Sequence, residues 1–369
     1  MKPARAESPS PKSGRQLNRD KADAFSQRML QVLNEAAVAM MSSIGHRTGL
    51  FQVMSKLEPS TASVIAQEAA LNERYVKEWL GAMVTGGIVD YDAANQTYTL
   101  PPEHAAFLTP AAIPNNISVP AQFVSVLGSV EDRIVDCFRK GGGVPYSEYA
   151  RFHEVMAEES SQTAGWALMD AILPLVPDLK QRLQNGATVL DVGCGSGRTV
   201  NLMAETFAGS TFIGYDLSKE AIAKARDDAA ERGLINAHFA VKDVARLLEA
   251  SKYDLITGFD AIHDQAHPQR VLDNIARALK PDGVFLMQDI AGSSYVENNM
   301  DLPLGPFGYT ISCMHCMTVS LAQDGEGLGA MWGEEKARGM LTDAGFNSIE
   351  VHQLPHDILN SYFVVKRQS

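Results

Sequence analysis

Residues 189–197 constrain the fold more than any other part of the chain, with the sequence Val-Leu-Asp-Val-Gly-Cys-Gly-Ser-Gly. The apolar residues from Thr188 predict a buried strand, and a helix-like run begins near Arg198. A buried strand that ends in a glycine loop before a helix is typical of nucleotide-binding α/β units. The spacing is GxGxG, and Asp191 precedes the first glycine by two residues. Because a carboxylate repels a pyrophosphate, the loop favours a cofactor with a cationic group and no phosphate. The alternative is a tight turn in an unrelated α/β protein.

Strands and helices alternate along residues 176–369. We expect strands at 188–192, 211–216, 237–241, 253–258 and 284–290, with a final pair near 348–353 and 361–366. Helical stretches separate the first five strands, which predicts a mainly parallel sheet covered on both faces. The connection at 354–360 is too short for a parallel crossover, so the last two strands should pair antiparallel. The predicted fold class is α/β, with a Rossmann-like sheet of seven strands.

Acidic residues follow the second and third predicted strands, at the edge where an open α/β sheet binds its ligands. Asp216 lies about 20 residues after the glycine loop, where a carboxylate accepts hydrogen bonds from both hydroxyls of a ribose. Capping the helix from Ser218 is the alternative role, although Ser218 can cap it alone. Asp243 follows the third strand, and its alternative role is that of a solvent-facing turn residue.

The glycine loop with its acidic residue resembles motif I of the class I S-adenosylmethionine-dependent methyltransferases. Pro281-Asp282-Gly283, before the fifth strand, matches the same family. The resemblance implies S-adenosyl-L-methionine as cofactor, S-adenosyl-L-homocysteine as product, and the sheet described above. It also implies that Asp243 accepts a hydrogen bond from the adenine amino group, while the next backbone N–H serves a ring nitrogen. The predicted cofactor-binding residues are Asp191, Gly193, Cys194, Gly195, Gly197, Asp216, Leu217, Asp243, Val244, Phe259 and Asp260.

Four further segments narrow the resemblance. They are residues 142–146, 260–265, 315–321 and 325–333. They are similar to a bacterial small-molecule subfamily that joins an N-terminal winged helix to a methyltransferase domain. The resemblance then covers nearly the whole chain except its first residues, and it does not identify the methyl acceptor.

His263 is the candidate catalytic residue, because the segment 259–265 follows the fourth strand and should face the methyl group. Methyl transfer requires a nucleophile within about 3–3.5 Å of that group. An O–H, S–H or N–H nucleophile also needs a proton acceptor, and histidine has a suitable pKa. Asp264 or Asp260 would orient the ring, and Asp264 is the second predicted catalytic residue. The alternative for His263 is a helix-start histidine bonded to the backbone.

Residues 23–110 predict a winged-helix domain, in which helices precede a small hairpin. Met29, Leu33, Ala36, Ala37 and Met40 follow helical spacing. A winged helix serves either as a DNA-binding module or as a dimerisation platform. The charges of the second helix, Arg74–Thr85, largely cancel, so we expect a homodimer formed through this domain and no nucleic-acid partner.

Residues 111–175 predict a helical linker and lid, with one helix over 122–138 and a glycine hinge at 141–143. Aromatic and sulfur side chains recur after the hinge at three- and four-residue spacing, which predicts one helical face over an apolar pocket. Packing against the next domain is the alternative. The candidate substrate contacts are Tyr146, Tyr149, Phe152, His153, Met156, His315 and Trp332.

The net charge of −12 argues against a nucleic-acid substrate. Four cysteines in 369 residues do not form a disulfide framework, so a reducing cytoplasm fits best. The Cys313/Cys316 pair cannot complete a four-ligand zinc site alone, and we predict no metal. Residues 1–22 carry prolines and charges without an apolar core, which predicts a flexible tail rather than a secretory signal. We expect no transmembrane segment.

These patterns predict an S-adenosylmethionine-dependent methyltransferase (EC 2.1.1.-) that acts on an oxygen, sulfur or nitrogen nucleophile of a small molecule. The alternative is a winged-helix transcriptional regulator that senses S-adenosylmethionine without catalysis.

Overall fold

The computed structural model describes residues 17–367. Most of the predicted tail, residues 1–16, therefore lies outside the described residues, and the first helix already begins at Arg19. The α-helices are α1 (Arg19–Arg47), α2 (Leu50–Met54), α3 (Ala62–Glu68), α4 (Glu73–Thr85), α5 (Pro102–Leu108), α6 (Gln122–Gly128), α7 (Glu131–Lys140), α8 (Phe152–Ser160), α9 (Leu179–Asn185), α10 (Arg198–Thr206), α11 (Lys219–Glu231), α12 (Pro268–Ala278), α13 (Gly305–Ile311), α14 (Met317–Leu321) and α15 (Gly333–Asp343). The strands are β1 (Asp90–Asp92), β2 (Thr97–Thr99), β3 (Thr188–Val192), β4 (Thr211–Asp216), β5 (Ala237–Val241), β6 (Tyr253–Phe259), β7 (Leu279–Ile290), β8 (Ser348–Leu354) and β9 (Asp357–Lys366).

The seven-stranded sheet has the order β5-β4-β3-β6-β7-β9-β8. Neighbours from β5 to β7 run parallel, while β9 pairs antiparallel with both β7 and β8, so the predicted sheet is confirmed. Alternate residues of β3 enter different cores: Val189 packs on one face and Leu190 on the other. Both faces are covered because apolar side chains leave both faces of the central strands. The parallel strands consequently end at one common edge, where the polar residues after them meet.

The N-terminal region has the predicted helices and hairpin. Thr61 caps α3 and Asn72 caps α4 through their side chains, as the sequence pattern of polar residues before apolar runs predicts. Trp79 and Met83 of α4 are buried in the core of this region, and β1 pairs antiparallel with β2.

The apolar stripe of α1 faces solvent rather than this core. Met29 and Met40 are about half exposed, and Leu33 is 67% exposed. Phe25 and Ile44 extend the same stripe. The helical prediction for this stretch is confirmed, but its stripe is an unpartnered surface in the described chain.

Two local predictions for the linker are wrong. The single helix expected over 122–138 is two helices, α6 and α7, separated at Ser129 and Val130. The single helical face expected over 146–156 is interrupted, since Arg151 has a φ of 67° and α8 begins only at Phe152. A left-handed residue cannot continue an α-helix.

The glycine run, predicted as a hinge, forms a packing contact in the structure. Gly141 and Gly142 have positive φ, but Gly143 lies directly against α14. A Cβ at Gly143 would stand 2.0 Å from the carbonyl oxygen of Thr318 and 2.4 Å from the nitrogen of Ala322. The neighbouring Val144 N–H donates to Thr318 Oγ1 over 2.8 Å. The run therefore holds the linker on α14.

Among residues 17–367, no helix combines the length and the apolar character needed to span a bilayer.

Gly143→Ala should lower the free energy of unfolding by about 1–3 kcal/mol, because the added methyl group overpacks a backbone contact. Urea unfolding followed by circular dichroism measures this. Gly81→Ala is the matched control, since a Cβ there meets nothing within 4 Å and alanine favours the α4 helix. Equal stability of the two variants would contradict the contact.

Candidate active site

A cavity of about 1370 Å³ opens at the common carboxyl edge of β3, β4, β6 and β7, under the linker and α13–α14. Sequence-predicted residues from the linker and from the region after it line this cavity. They are Tyr146, Tyr149, Phe152, His153, Met156, Asp191, Gly193, Cys194, Gly195, Asp216, Leu217, Val244, Phe259, Asp260, His263, Asp264 and His315.

Three predicted site residues do not line this cavity. Gly197 begins α10 and packs against Phe239. The carboxylate of Asp243 accepts the N–H of Ala245 over 2.9 Å, so it caps a short 3₁₀ turn. Trp332 lies behind the cavity wall, where its indole N–H donates to Asp289.

Asp191 is buried beneath the glycine loop with both oxygens hydrogen-bonded. Thr257 Oγ1 donates to Oδ1 over 2.7 Å, and Thr199 Oγ1 donates to Oδ2 over 2.9 Å. Burial raises the pKa of Asp191 to about 6, although both hydroxyl groups lower it. Asp191 thus joins β3, β6 and α10 below the loop.

The loop itself leaves room for a ligand. Gly193 and Gly195 have φ values of 69° and 51°, a conformation that glycine adopts without strain. A Cβ at Gly195 would meet no atom within 4 Å, so the backbone there is open, whereas a Cβ at Gly193 would collide with the Cβ of Ala261 at 2.5 Å. Asp216 is held at the cavity wall by the N–H groups of Gly195 and Ser218, at 2.9 and 2.8 Å. Because a carboxylate accepts about four hydrogen bonds, Asp216 retains acceptor capacity toward the cavity.

His263 is fixed by a residue that the sequence interpretation missed. Asp289 Oδ1 lies 2.7 Å from His263 Nδ1, and it also accepts the indole N–H of Trp332 over 2.9 Å. The sequence predicts that Asp264 or Asp260 orients the ring. Asp264 Oδ1 lies 3.3 Å from His263 Nε2, whereas Asp260 accepts from Gln288 Nε2. Like Asp216, Asp289 is an acidic residue near the end of a buried strand. The sequence pattern that identified Asp216 could therefore have identified Asp289.

The charge on His263 depends on this arrangement. Its Nε2 atom lies 3.3 Å from Asp264 Oδ1. Burial lowers the pKa of His263, but the carboxylates of Asp289 and Asp264 outweigh burial and hold it well above its ordinary range. The ring therefore carries a proton more readily than a free imidazole, with its Nδ1 side bonded to Asp289. It can accept a proton from another group only after it has lost this one.

His315 lies in a π-helical turn, Ser312–Cys316, with its Nδ1 atom 3.9 Å from Asp264 Oδ2. Its ring stacks on Phe152 with centroids 3.5 Å apart, and Tyr146 and Tyr149 meet it edge-on. Burial lowers its pKa well below the ordinary range, so His315 is neutral at pH 7. Neither ring nitrogen has a hydrogen-bond partner within the described chain.

One group of side chains has the spacing of metal ligands. Among the described residues, it consists of His263, Asp264 and Cys316, whose ligand atoms lie within 4.8 Å of one another. The prediction that the protein binds no metal stays a prediction.

Two family models match the chain. Residues 36–110 match the Rv2258c-like winged HTH domain, and residues 183–349 match a methyltransferase domain. Along the chain, the winged helix-turn-helix match thus precedes the methyltransferase match.

Several known proteins are similar to this chain, in sequence or in structure, over different lengths. The ubiquinone biosynthesis O-methyltransferase of Actinobacillus pleuropneumoniae serotype 5b is 29% identical over 155 residues, which cover 40% of this chain and 65% of that protein. The chain thus spans just under two thirds of that relative. The structure of the mitomycin 7-O-methyltransferase MmcR is similar with a TM-score of 0.68, at 16% identity, covering 95% of this chain and 100% of that one. Human N-acetylserotonin methyltransferase, in complex with SAM, gives a TM-score of 0.67 at 14% identity, covering 93% and 98%.

Asp191→Asn should make the protein less sensitive to pH. In the wild type, the folded pKa of about 6 exceeds the unfolded value of 3.8, so the folded state loses stability as the pH rises between them. The variant should therefore gain about 3 kcal/mol relative to the wild type between pH 4 and pH 7. Denaturant unfolding at both pH values tests this, and a constant difference between the two proteins would contradict the buried charge.

Proposed function

We propose that the protein transfers a methyl group from S-adenosyl-L-methionine to an oxygen nucleophile of a small molecule. The observation that carries the proposal is one cavity holding the glycine loop, Asp216 and the His263–Asp289 pair. The name of the curated relative, an O-methyltransferase, favours oxygen over sulfur and nitrogen.

The cavity fits the cofactor. At Gly195 the loop backbone faces open space, since a Cβ there would meet no atom within 4 Å. The carboxylate of Asp216 would accept the ribose hydroxyl groups, and Val244 lines the wall expected to meet the adenine. When bound, S-adenosylmethionine supplies an electrophilic methyl group on a cationic sulfonium.

His263 would act as the general base. Asp289 occupies Nδ1, so in the deprotonated ring Nε2 would accept the proton of the substrate hydroxyl. The substrate oxygen would bond to the methyl carbon as the bond from that carbon to the sulfonium sulfur breaks, which leaves S-adenosylhomocysteine. Asp289 would stabilise the resulting imidazolium, and Asp264 lies close enough to share its charge. Neutral His315 and the surrounding aromatic rings would hold a partly apolar acceptor and exclude water.

The regulator alternative rests on DNA contacts by α4. On that helix Arg74 is paired with Glu78 on the surface, which offers phosphate little net attraction. We therefore favour the enzyme.

We also propose that a second copy of the chain covers the apolar stripe of α1, as the sequence-based homodimer prediction requires. The stripe consists of Phe25, Met29, Leu33, Met40 and Ile44, all substantially exposed. Such a stripe along a helix of 29 residues has the spacing of a helix–helix seam.

Asp216→Ala should weaken binding of S-adenosylhomocysteine at least about tenfold, because hydrogen bonds to a charged group contribute about 1.5–3 kcal/mol. Calorimetric titration measures the affinity. Asp227→Ala, on the exposed face of α11, is the control. Absence of binding to the wild type would contradict the proposed cofactor.

Asp289→Asn should move the pH profile of kcat/KM to lower pH. The base acts only when His263 is neutral, so activity rises with pH through its raised pKa, and removing the Asp289 charge lowers that pKa. The maximum rate should also fall because the ring loses its orienting acceptor. Asp273→Asn, exposed on α12, controls for the change of net charge; an unmoved profile in Asp289→Asn would count against the pair.

Met29→Glu combined with Leu33→Glu should convert a dimer to a monomer in sedimentation velocity, because both changes place charge in the seam. Glu35→Gln, on the same helix, should leave the dimer intact. A wild-type monomer at micromolar concentration would refute this proposal.

A further inference from the structure

One side of the cavity forms a recess that the proposed chemistry does not use. We define the acidic recess by Glu159 on α8, Asp260 after β6 and Asn360 on β9, all of which line the cavity. Gln288 and Asp357 lie behind these residues. Asn360 Nδ2 donates to Asp357 Oδ2 over 3.0 Å, and Gln288 Nε2 donates to Asp260 Oδ2 over 2.7 Å.

The polar donors of the recess are already used within it. The hydroxyl of Tyr362 donates to Asp357, and both amide groups donate as described above. The atoms left over are acceptors: Asp260 Oδ1, Gln288 Oε1 and Asn360 Oδ1 are buried without a partner in the described chain. Asn360 is only 3% exposed. Buried acceptors without donors are unfavourable, so this arrangement points to a guest that donates hydrogen bonds.

Among the described residues, the carboxylates of the recess also lack ion-pair partners, unlike other acidic residues of α8. Glu154 and Glu158, on the same helix, pair with Arg151 and His46. Within residues 17–367, no ion pair involves Glu159, Asp260 or Asp357. Burial, followed by the nearby carboxylate of Asp357, raises the pKa of Glu159 to about 7. Burial and the carboxylate of Asp289 raise the pKa of Asp260 well above its ordinary range.

The spacing of the carboxylates favours an organic cation over a metal ion. The residues of the recess do not form a group whose ligand atoms all lie within 4.8 Å of one another. Among the described residues, only His263, Asp264 and Cys316 form such a group. An ammonium group carries a positive charge and three N–H donors, which matches separated acceptors in a pocket.

We propose that the acidic recess binds the primary ammonium group of a ligand, either that of an amine-bearing methyl acceptor or the α-ammonium of the cofactor. The proposal deepens the proposed methyl transfer and rests on it, because the recess opens into the same cavity. The ammonium would supply the missing donors to Asp260 and Asn360 and the missing charge to Glu159.

Two matched ligand pairs distinguish the sources. The first is tyramine and its neutral analogue 4-(2-hydroxyethyl)phenol, titrated into full-length protein saturated with S-adenosylhomocysteine. The second is S-adenosylhomocysteine and its des-amino analogue, titrated into the protein alone. If tyramine binds at least tenfold more tightly than its neutral analogue, the recess binds the ammonium group of the methyl acceptor. If S-adenosylhomocysteine binds at least tenfold more tightly than its des-amino analogue, the recess binds the α-ammonium group of the cofactor.

Variants test whether the recess causes the preference. Glu159→Gln and Asp260→Asn should each reduce it at least threefold, and both are near-isosteric changes that remove a buried charge. Glu154→Gln, an exposed position on the same helix, should retain it. Equal binding within both pairs, or a preference that survives both variants, would overturn the proposal. If S-adenosylhomocysteine binds tightly but neither pair shows an amine preference, only the proposed role of the recess is rejected. If S-adenosylhomocysteine does not bind, the proposed methyl transfer is rejected.

Discussion

The buried carboxylate of Asp289 is the interaction on which the proposed chemistry depends. Its Oδ1 atom receives the His263 ring, the Trp332 indole and the N–H of Ile290, while the residue is only 1% exposed. A buried carboxylate is tolerated when it is paired and hydrogen-bonded, and it is strongly destabilising when one partner is removed. The ring of His263 is therefore held in one orientation, and Trp332 supports that orientation from 43 residues away along the chain.

Parallel strands make this arrangement possible. Because β3, β4, β6 and β7 run in the same direction, the polar residues at their ends gather at one edge of the sheet. Asp191 and Asp216 hold the loop side of the cavity, whereas His263 and Asp289 hold the chemical side. The linker and α14 close the cavity from above, and the contact of Gly143 with α14 fixes the position of the aromatic residues that follow it.

Local sequence patterns predicted much of this structure. The strand, glycine loop and helix at residues 188–206 and the antiparallel last strands depend on short-range patterns, so they could be read directly. The helix expected over 146–156 failed because apolar spacing does not report the left-handed turn at Arg151. The contact between Trp332 and Asp289 joins distant segments, and no local pattern encodes such a pair. Likewise, the stripe on α1 has helical periodicity, but periodicity alone does not tell which face is covered by the same chain.

The release of S-adenosylhomocysteine from S-adenosylmethionine, measured with a panel of phenols, thiols, amines and carboxylates, tests the proposed methyl transfer most directly. We expect at least one phenol or other hydroxyl compound to support turnover by the wild type. We also expect His263→Ala to lower the rate by about 10²–10⁴-fold while the affinity for S-adenosylhomocysteine is kept. Unchanged turnover by His263→Ala, or turnover with thiols or amines but with no oxygen nucleophile, would refute the proposal.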